Sequence, residues 1–239
     1  MVNQRNQTTH NETMNALTTI DARALRFDFP EIREQLLKRA RLHLAERITR
    51  DRELSWSNDQ PLPKRSEWEA ASERIASEHL PEATATVDFQ RTLRIPDDGQ
   101  DYPLPPGLGR FPLQHVDDLR KSLPRHWRDH GGIMLPMHQS EALWLNFSAA
   151  YPVALKVGTG KICAVSGEVW QEGLRADPQN YCVLPDQPWL DGYAVEKGII
   201  RQFVAQPLGT GFTVEEQLTG KAEWGGIQLQ AHPLNPELY

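Results

Sequence analysis

The sequence predicts an α+β protein, in which a helical N-terminal region packs on a predominantly antiparallel β-sandwich or partly open barrel. Two observations support this prediction. Residues 21–80 carry apolar side chains at helical spacing behind recognisable helix start signals. From residue 131 onward, short β-branched and aromatic runs alternate with glycine and proline turns, which is typical of antiparallel sheets.

The N-terminal part divides into an arm and a helical region. Residues 1–20 are polar and aperiodic, so we expect a disordered arm without the apolar stretch of a secretory signal. Asp28–Pro30 combines an N-cap acid with an early proline and predicts a helix start. Ser66–Glu69 has the capping-box spacing and predicts a second, short helix. Residues 21–80 are therefore expected to be helical.

Residues 81–130 are expected to connect the helical region to the β-rich part. The run at 84–95 alternates between polar and apolar positions and predicts a strand with one irregularity. Residues 102–112 contain too many prolines for a sheet interior and predict an extended loop. A short helix is expected at residues 113–123.

Residues 131–239 are expected to form the β-rich core domain. The predicted strands fall at residues 133–137, 141–148, 152–157, 161–165, 181–184, 199–206, 212–219 and 224–232. The run at 152–165 predicts a hairpin around Gly158–Gly160.

A second hairpin is predicted from Ile199–Gln206 and Phe212–Thr219, on either side of a proline-glycine turn. If residues at equal distances from this turn are paired, Phe203 lies opposite Val214 and Arg201 lies opposite Glu216. The pair Arg201 and Glu216 is then either a cross-strand ion pair or a charged element of a ligand site.

Composition narrows the classes of function. The 239-residue chain has a formal net charge of −6, which argues against nucleic-acid binding through a basic face, and no apolar run approaches the length of a membrane span. The two cysteines, Cys163 and Cys182, indicate free buried thiols in a reducing compartment, with a single cross-strand bridge as the alternative. We therefore expect a cytoplasmic protein.

Two groups of residues suggest chemistry. His126 and His130 are one helical turn apart and are candidate metal ligands, or else two unrelated surface histidines. His138 and Glu141 form a candidate catalytic pair of general base and orienting acid. The sequence specifies no cofactor.

Aromatic residues suggest binding. Trp144 and Trp189 lie in the β-rich part, where acids such as Asp186 and Asp191 are close in sequence. Tryptophans beside acids are used in sugar and small-ligand pockets, and tryptophans are equally used in a sandwich core. Trp144, Trp189, Asp191, Arg201 and Glu216 are therefore the candidate ligand-binding residues.

Two segments carry a resemblance, Met137–Phe147 (MHQSEALWLNF) and residues 183–226, from VLPDQPWLDGYAV to the final GG. Over residues 84–232 the chain resembles a family of uncharacterised soluble proteins of bacteria and filamentous fungi. The resemblance implies that the β-rich part is a self-contained unit, and it brings no activity, cofactor or catalytic residue with it.

The function expected from the sequence is a non-catalytic cytoplasmic binding or self-assembling protein, with an aromatic and acidic surface on the β-sandwich. Its partner would be a small-molecule ligand or another protein, and a homo-oligomer built through strand edges is a variant of the same prediction. The alternative is a metal-assisted or His/Glu acid–base enzyme on the same scaffold.

Overall fold

The computed structural model describes residues 19–21, 24–39, 42, 83–100, 102–196 and 199–239. The chain divides into two compact units, one formed by Met1–Asp28 with Thr84–Pro233 and the other by Phe29–Ala83 with Leu234–Tyr239. Residues 1–18 of the expected arm, and residues 40, 41 and 43–80 of the region expected to be helical, lie outside the described residues. The arm was expected to extend to residue 20, and this is wrong at Thr19 and Ile20, because they pair with Arg26 and Leu25 in a strand.

The elements of the described residues are mainly strands. The strands are β1 Thr19–Asp21, β2 Ala24–Asp28, β3 Thr84–Thr92, β4 Gln114–His115, β5 Ile133–Met134, β6 Ala142–Ala149, β7 Val153–Thr159, β8 Ile162–Cys163, β9 Cys182–Leu184, β10 Trp189–Leu190, β11 Gly192–Glu196, β12 Ile199–Val204 and β13 Ile227–Pro233. The helices are α1 at residues 30–39, α2 Arg125–His130 and α3 Val214–Thr219, with a 3-10 turn at Asp117–Leu119. The pairs between these strands are antiparallel, which confirms the predicted mostly antiparallel β character.

A seven-stranded sheet has the order β1-β2-β3-β6-β12-β11, with β10 also paired to β6. The β3–β6 register runs without a break from Ala85 opposite Ala149 to Thr92 opposite Ala142. Because side chains alternate along a strand, Leu143, Leu145 and Phe147 all point to one face, where they are buried. The strand predicted at 141–148 is confirmed.

A four-stranded sheet has the order β13-β7-β8, with β9 also paired to β7. A hairpin forms here as predicted, but its turn is not at Gly158–Gly160. Gly158 and Thr159 belong to β7, and Thr159 pairs with Ile162 across a two-residue turn of Gly160 and Lys161. Both turn residues have positive φ, of 54° and 61°, as a type I′ turn requires. The long register of β13 against β7 completes the sheet, from Ile227 opposite Thr159 onward.

The second predicted hairpin is wrong. Strand β12 pairs with β11 and β6, and residues 214–219 form α3 instead of a returning strand. The physical reason is a capping box. Thr213 Oγ1 accepts the N–H of Glu216 at 3.2 Å, and Glu216 Oε2 accepts the N–H of Thr213 at 3.3 Å. Gly220, with a φ of 70°, ends the helix in the left-handed conformation that glycine favours.

Two further elements differ from the prediction. The segment expected to be a helix at 113–123 forms β4 and the 3-10 turn, because Gln114 pairs with Met134 of β5. Strand β2 lies within the region expected to be helical from residue 21, and its Leu25 pairs with Val87 of β3. The helix start expected after Asp28 is confirmed by α1.

Candidate functional site

A surface depression of about 410 Å³ lies where β9, the following turn and β10 meet. Six residues line it: Gln179, Val183, Asp186, Gln187, Pro188 and Trp189. Two backbone hydrogen bonds hold the turn in place, from Gln187 N to Val183 O at 2.8 Å and from Phe147 N to Pro188 O at 2.7 Å. The second bond attaches the turn directly to β6, so the depression is built on the central strand of the seven-stranded sheet.

The position of Trp189 follows from strand alternation in β10. Leu190 pairs with Leu145 and is buried, at 7% exposure, on the core face of the sheet. Trp189 pairs with Asn146 and therefore points to the opposite face, where 49% of it is exposed. The buried leucine fixes the strand, and the indole is consequently presented to solvent at the edge of the depression.

One carboxylate and two side-chain amides are the polar side chains that line the depression beside Trp189. Within the described residues no hydrogen bond or ion pair engages the exposed Asp186 carboxylate. Gln187 donates from Nε2 to Trp189 O at 3.2 Å, and Gln179 donates from Nε2 to Tyr181 O at 2.7 Å. These bonds orient both amides through their nitrogens. The depression is therefore lined by an indole ring, a carboxylate that is unpaired within the described residues, and two side-chain amides whose nitrogens donate to the backbone.

Trp144 lies on the same face of the sheet as Trp189, but outside the lining of the depression. It pairs across the sheet with Gln90, and a Cβ on Gly107 of the proline-rich loop would meet its Cζ2 at 3.4 Å. Its Nε1 is buried and has no hydrogen-bond partner within the described residues. The loop predicted at 102–112 is confirmed, and it runs beside Trp144 instead of leaving its indole open to solvent.

Asp191, Arg201 and Glu216 are engaged elsewhere or lie apart from the depression. Asp191 follows Trp189 by two residues but does not line the depression. Arg201 Nη1 bonds Asp97 Oδ1 at 2.7 Å, with both side chains largely exposed, so the expected pairing with Glu216 does not form. The Glu216 carboxylate accepts hydrogen bonds from the Thr213 hydroxyl and from the backbone N–H groups of Gly211 and Thr213. These bonds lower the pKa of Glu216.

His138 and Glu141 are brought together, although in a geometry that weakens Glu141 as a base. The N–H of His138 donates to Glu141 Oε2 at 2.7 Å, and Arg91 Nε donates to Oε1 at 3.0 Å. The His138 N–H bond lowers the pKa of Glu141; partial burial acts in the opposite direction, and Arg91 adds to the lowering. Ser140, with a φ of 68°, forms the turn between them. Both carboxylate oxygens are thus already engaged, Oε2 by the turn and Oε1 by Arg91.

His126 and His130 lie on α2, as their spacing predicted, and both are exposed. His130 Nδ1 lies 2.7 Å from the backbone oxygen of His126, so that ring nitrogen already has a partner inside the helix. Among the residues that the structure describes, no group of three or more histidine, cysteine or acidic side chains is placed to hold a metal ion.

A buried carboxylate that the sequence did not single out lies at Glu215 of α3, which is 2% exposed. Its oxygens accept the backbone N–H groups of Glu223, Trp224 and Gly225 at 3.0, 2.9 and 2.8 Å. Burial acts to raise the pKa of Glu215, and the three N–H groups outweigh it, so that the pKa is lowered. This carboxylate holds the loop before β13 in place.

The sequence identified Trp189 and noted Asp186, but it missed Gln179, Val183, Gln187 and Pro188. The signal available was the Pro185–Pro188 turn immediately before an aromatic residue. No family model matches the sequence, and comparisons with curated proteins and with solved structures give no significant match. Within the described residues, none of the helices has the length and apolar character needed to cross a membrane.

Proposed function

We propose that the protein is a non-catalytic binding protein that takes a small, neutral, hydroxyl-rich ligand such as a sugar in the depression beside Trp189. The observation that carries the proposal is a half-exposed indole next to the Asp186 carboxylate, which nothing in the described residues engages. An unengaged acceptor beside an open aromatic face is the combination that such a ligand requires.

The chemistry of the lining supports this ligand class. Sugar hydroxyls donate hydrogen bonds, and Asp186, Gln179 and Gln187 supply acceptor oxygens for them. The apolar face of a sugar ring stacks on an indole, and Trp189 presents one. The volume of about 410 Å³ lies within the usual range of ligand pockets, about 300–1,000 Å³.

Three further parts of the proposal concern the scaffold. We propose that the two sheets pack as a β-sandwich, supported by the hydrogen bond from Ala194 N to Ala164 O at 2.8 Å and the bond between the Tyr193 and Thr159 hydroxyls. A cytoplasmic location is supported by the two buried cysteines, which are both free thiols. Self-association through strand edges stays a prediction.

An enzyme built on His138 and Glu141 has less support. A general base needs a free oxygen or nitrogen of suitable basicity, and the Glu141 oxygens are held by Arg91 and by the turn. The lowered pKa of Glu141 makes it a weaker base than an ordinary glutamate at neutral pH.

The proposal is tested by saturation-transfer NMR with methyl glucosides, methyl galactosides and cellobiose as probes. We expect at least one sugar to show saturation transfer with the wild-type protein, and its affinity to fall by about tenfold or more, or ~1.4 kcal/mol, in Trp189→Ala and Asp186→Asn. Both side chains point outward, so neither substitution removes core packing.

The matched control is Trp224→Ala, because Trp224 is another half-exposed tryptophan, outside the depression. It should leave sugar binding unchanged. Tetramethylammonium serves as a cationic probe. If it binds and the sugars do not, the ligand class is wrong. If no probe binds, or if Trp189→Ala binds as tightly as the wild type, the proposed function is wrong.

A further inference from the structure

The ammonium of Lys161 lies between two tryptophans at the β7–β8 turn of the four-stranded sheet. Its Nζ is 5.3 Å from the ring centroid of Trp224 and 5.5 Å from that of Trp170. Trp224 is 51% exposed, so one indole of this cluster is open to solvent. The cluster Lys161, Trp170 and Trp224 is separate from the residues that line the Trp189 depression.

Backbone hydrogen bonds fix the three segments of the cluster relative to one another. Trp170 N donates to Lys161 O at 2.7 Å, and Gly160 N donates to Gly226 O at 3.0 Å. Lys161 N donates to Gln228 Oε1 at 2.9 Å. Lys161 also holds a φ of 61°, a left-handed conformation in which lysine is uncommon. The position of this lysine is therefore set by the turn before any ligand is present.

The loop that carries Trp224 is held by the buried Glu215 carboxylate described above. Glu215 uses its two oxygens on the N–H groups of Glu223, Trp224 and Gly225. A Cβ on Gly160 would lie 2.5 Å from Glu215, so the turn and the helix α3 are in close contact. The Glu215 carboxylate, which lies beside this turn, thus already accepts hydrogen bonds from backbone N–H groups.

The charge of Lys161 is not paired with an anionic side chain of the described residues. Within the part of the chain that the structure describes, no hydrogen bond or ion pair engages its ammonium, which lies over the two indole rings. A second cation is close, because Lys156 Nζ lies 4.3 Å from the Trp170 ring. Glu172 is near enough to Lys156 to act on its pKa, but it forms no ion pair with Lys161. The cluster is a local excess of positive charge in a chain of net charge −6.

We propose that the cluster of Lys161, Trp170 and Trp224 is a binding site for a small organic anion that carries a planar ring. The acidic group of the ligand pairs with the Lys161 ammonium, and its ring stacks on the exposed face of Trp224. Both contacts are needed, because an exposed ion pair alone contributes little in water. The site is therefore selective for aromatic carboxylates over inorganic anions.

The probe for this site is 2-naphthoate, with 2-naphthamide as the neutral analogue and inorganic phosphate as the anion without a ring. Binding is followed by the indole N–H signals of the full-length protein in a ¹H–¹⁵N NMR titration. We expect saturable shifts of the Trp170 and Trp224 signals with 2-naphthoate. The amide and phosphate should each bind at least about tenfold more weakly.

Variants separate the charge from the ring. Lys161→Met and Trp224→Ala should each weaken 2-naphthoate binding by about tenfold or more, and Lys161→Arg should retain it. The matched controls are Lys221→Met, which removes a charge from the neighbouring loop, and Trp189→Ala, which alters only the depression. Both should bind as the wild type does.

Three results would overturn the proposal: no saturable shift with 2-naphthoate, equal affinity in Lys161→Met, or equal affinity for inorganic phosphate. Failure here leaves the sugar titration at Trp189 unaffected, because the two sites share no residue.

Discussion

Replacing Glu215 with glutamine is expected to lower the free energy of unfolding by about 2–4 kcal/mol at pH 7. The carboxylate accepts three backbone N–H groups, two on Oε1 and one on Oε2, whereas glutamine has a single acceptor oxygen. At least one hydrogen bond is lost. If the glutamine oxygen takes the Oε1 position, the lost bond is the one from the Gly225 N–H, and the new NH₂ group then faces that N–H donor. Loss of a charged hydrogen bond costs about 1.5–3 kcal/mol, and a buried unpaired donor about 1–3 kcal/mol, with partial overlap between the two.

The effect also has a pH dependence of defined sign. The pKa of Glu215 is lowered in the folded protein, so its ionised form stabilises the fold above the unfolded pKa of about 4.3. This contribution is lost as the pH falls through the folded pKa. The difference in stability between the wild type and Glu215→Gln should therefore be greatest near neutral pH and shrink in acid.

Urea unfolding followed by tryptophan fluorescence, at pH 7 and at pH 3.5, measures both effects. Glu223→Gln is the matched control, because it makes the same change of charge at an exposed side chain in the same loop. It should alter stability by less than about 0.5 kcal/mol. Equal stability of the two variants at pH 7 would refute the assignment of Glu215 as the anchor of this loop.

Two other predictions concern titratable groups that are buried or half-buried, Cys182 and His232. Burial raises the pKa of the Cys182 thiol to about 12. At pH 8 this thiol should therefore react with a thiol reagent only after the protein has been unfolded in urea. Rapid reaction of Cys182 in buffer without urea would contradict its burial. Partial burial and the positive charge of Lys156 lower the pKa of His232, so an NMR titration should give it a midpoint below the ordinary value of about 6.5. A midpoint at or above that value would contradict these two effects.

The sequence predicted the strands whose patterning is strong. Strand β6 alternates Leu143, Leu145 and Phe147, and only one register puts all three in the core. The β7–β8 hairpin was recognisable from the glycines before Lys161. In both cases, local pattern and tertiary packing require the same structure.

The prediction of a strand at residues 212–219, where the structure has α3, is wrong for a local reason. The apolar side chains of residues 212–219 lie at positions that also fit a strand. A six-residue helix is too short for its periodicity to distinguish a helix from a strand. The capping-box spacing of Thr213 and Glu216 was the decisive signal. The same spacing predicts a helix start at Ser66–Glu69. At Thr213–Glu216 it competes with the hairpin signal of the proline-glycine turn at residues 207–211.

The site was only partly predictable. Trp189 was identified from its residue type, but its exposure depends on Leu190 taking the core side of β10. Gln179 and Gln187 lie in turns whose approach to Trp189 depends on the arrangement of β9 and β10. Nothing in the Glu215–Glu216 pair shows that one carboxylate is buried against three N–H groups while its neighbour caps the helix. These features arise from tertiary contacts, which a local sequence pattern does not encode.

The indole N–H signal of Trp189, followed during titration with the sugar that gives the strongest saturation transfer, tests the central claim most directly. We predict a saturable shift of the Trp189 signal, with the Trp224 signal unmoved and the effect weakened in Asp186→Asn. A sugar that binds while the Trp189 signal stays fixed, or a panel in which no sugar shifts it, would contradict the account.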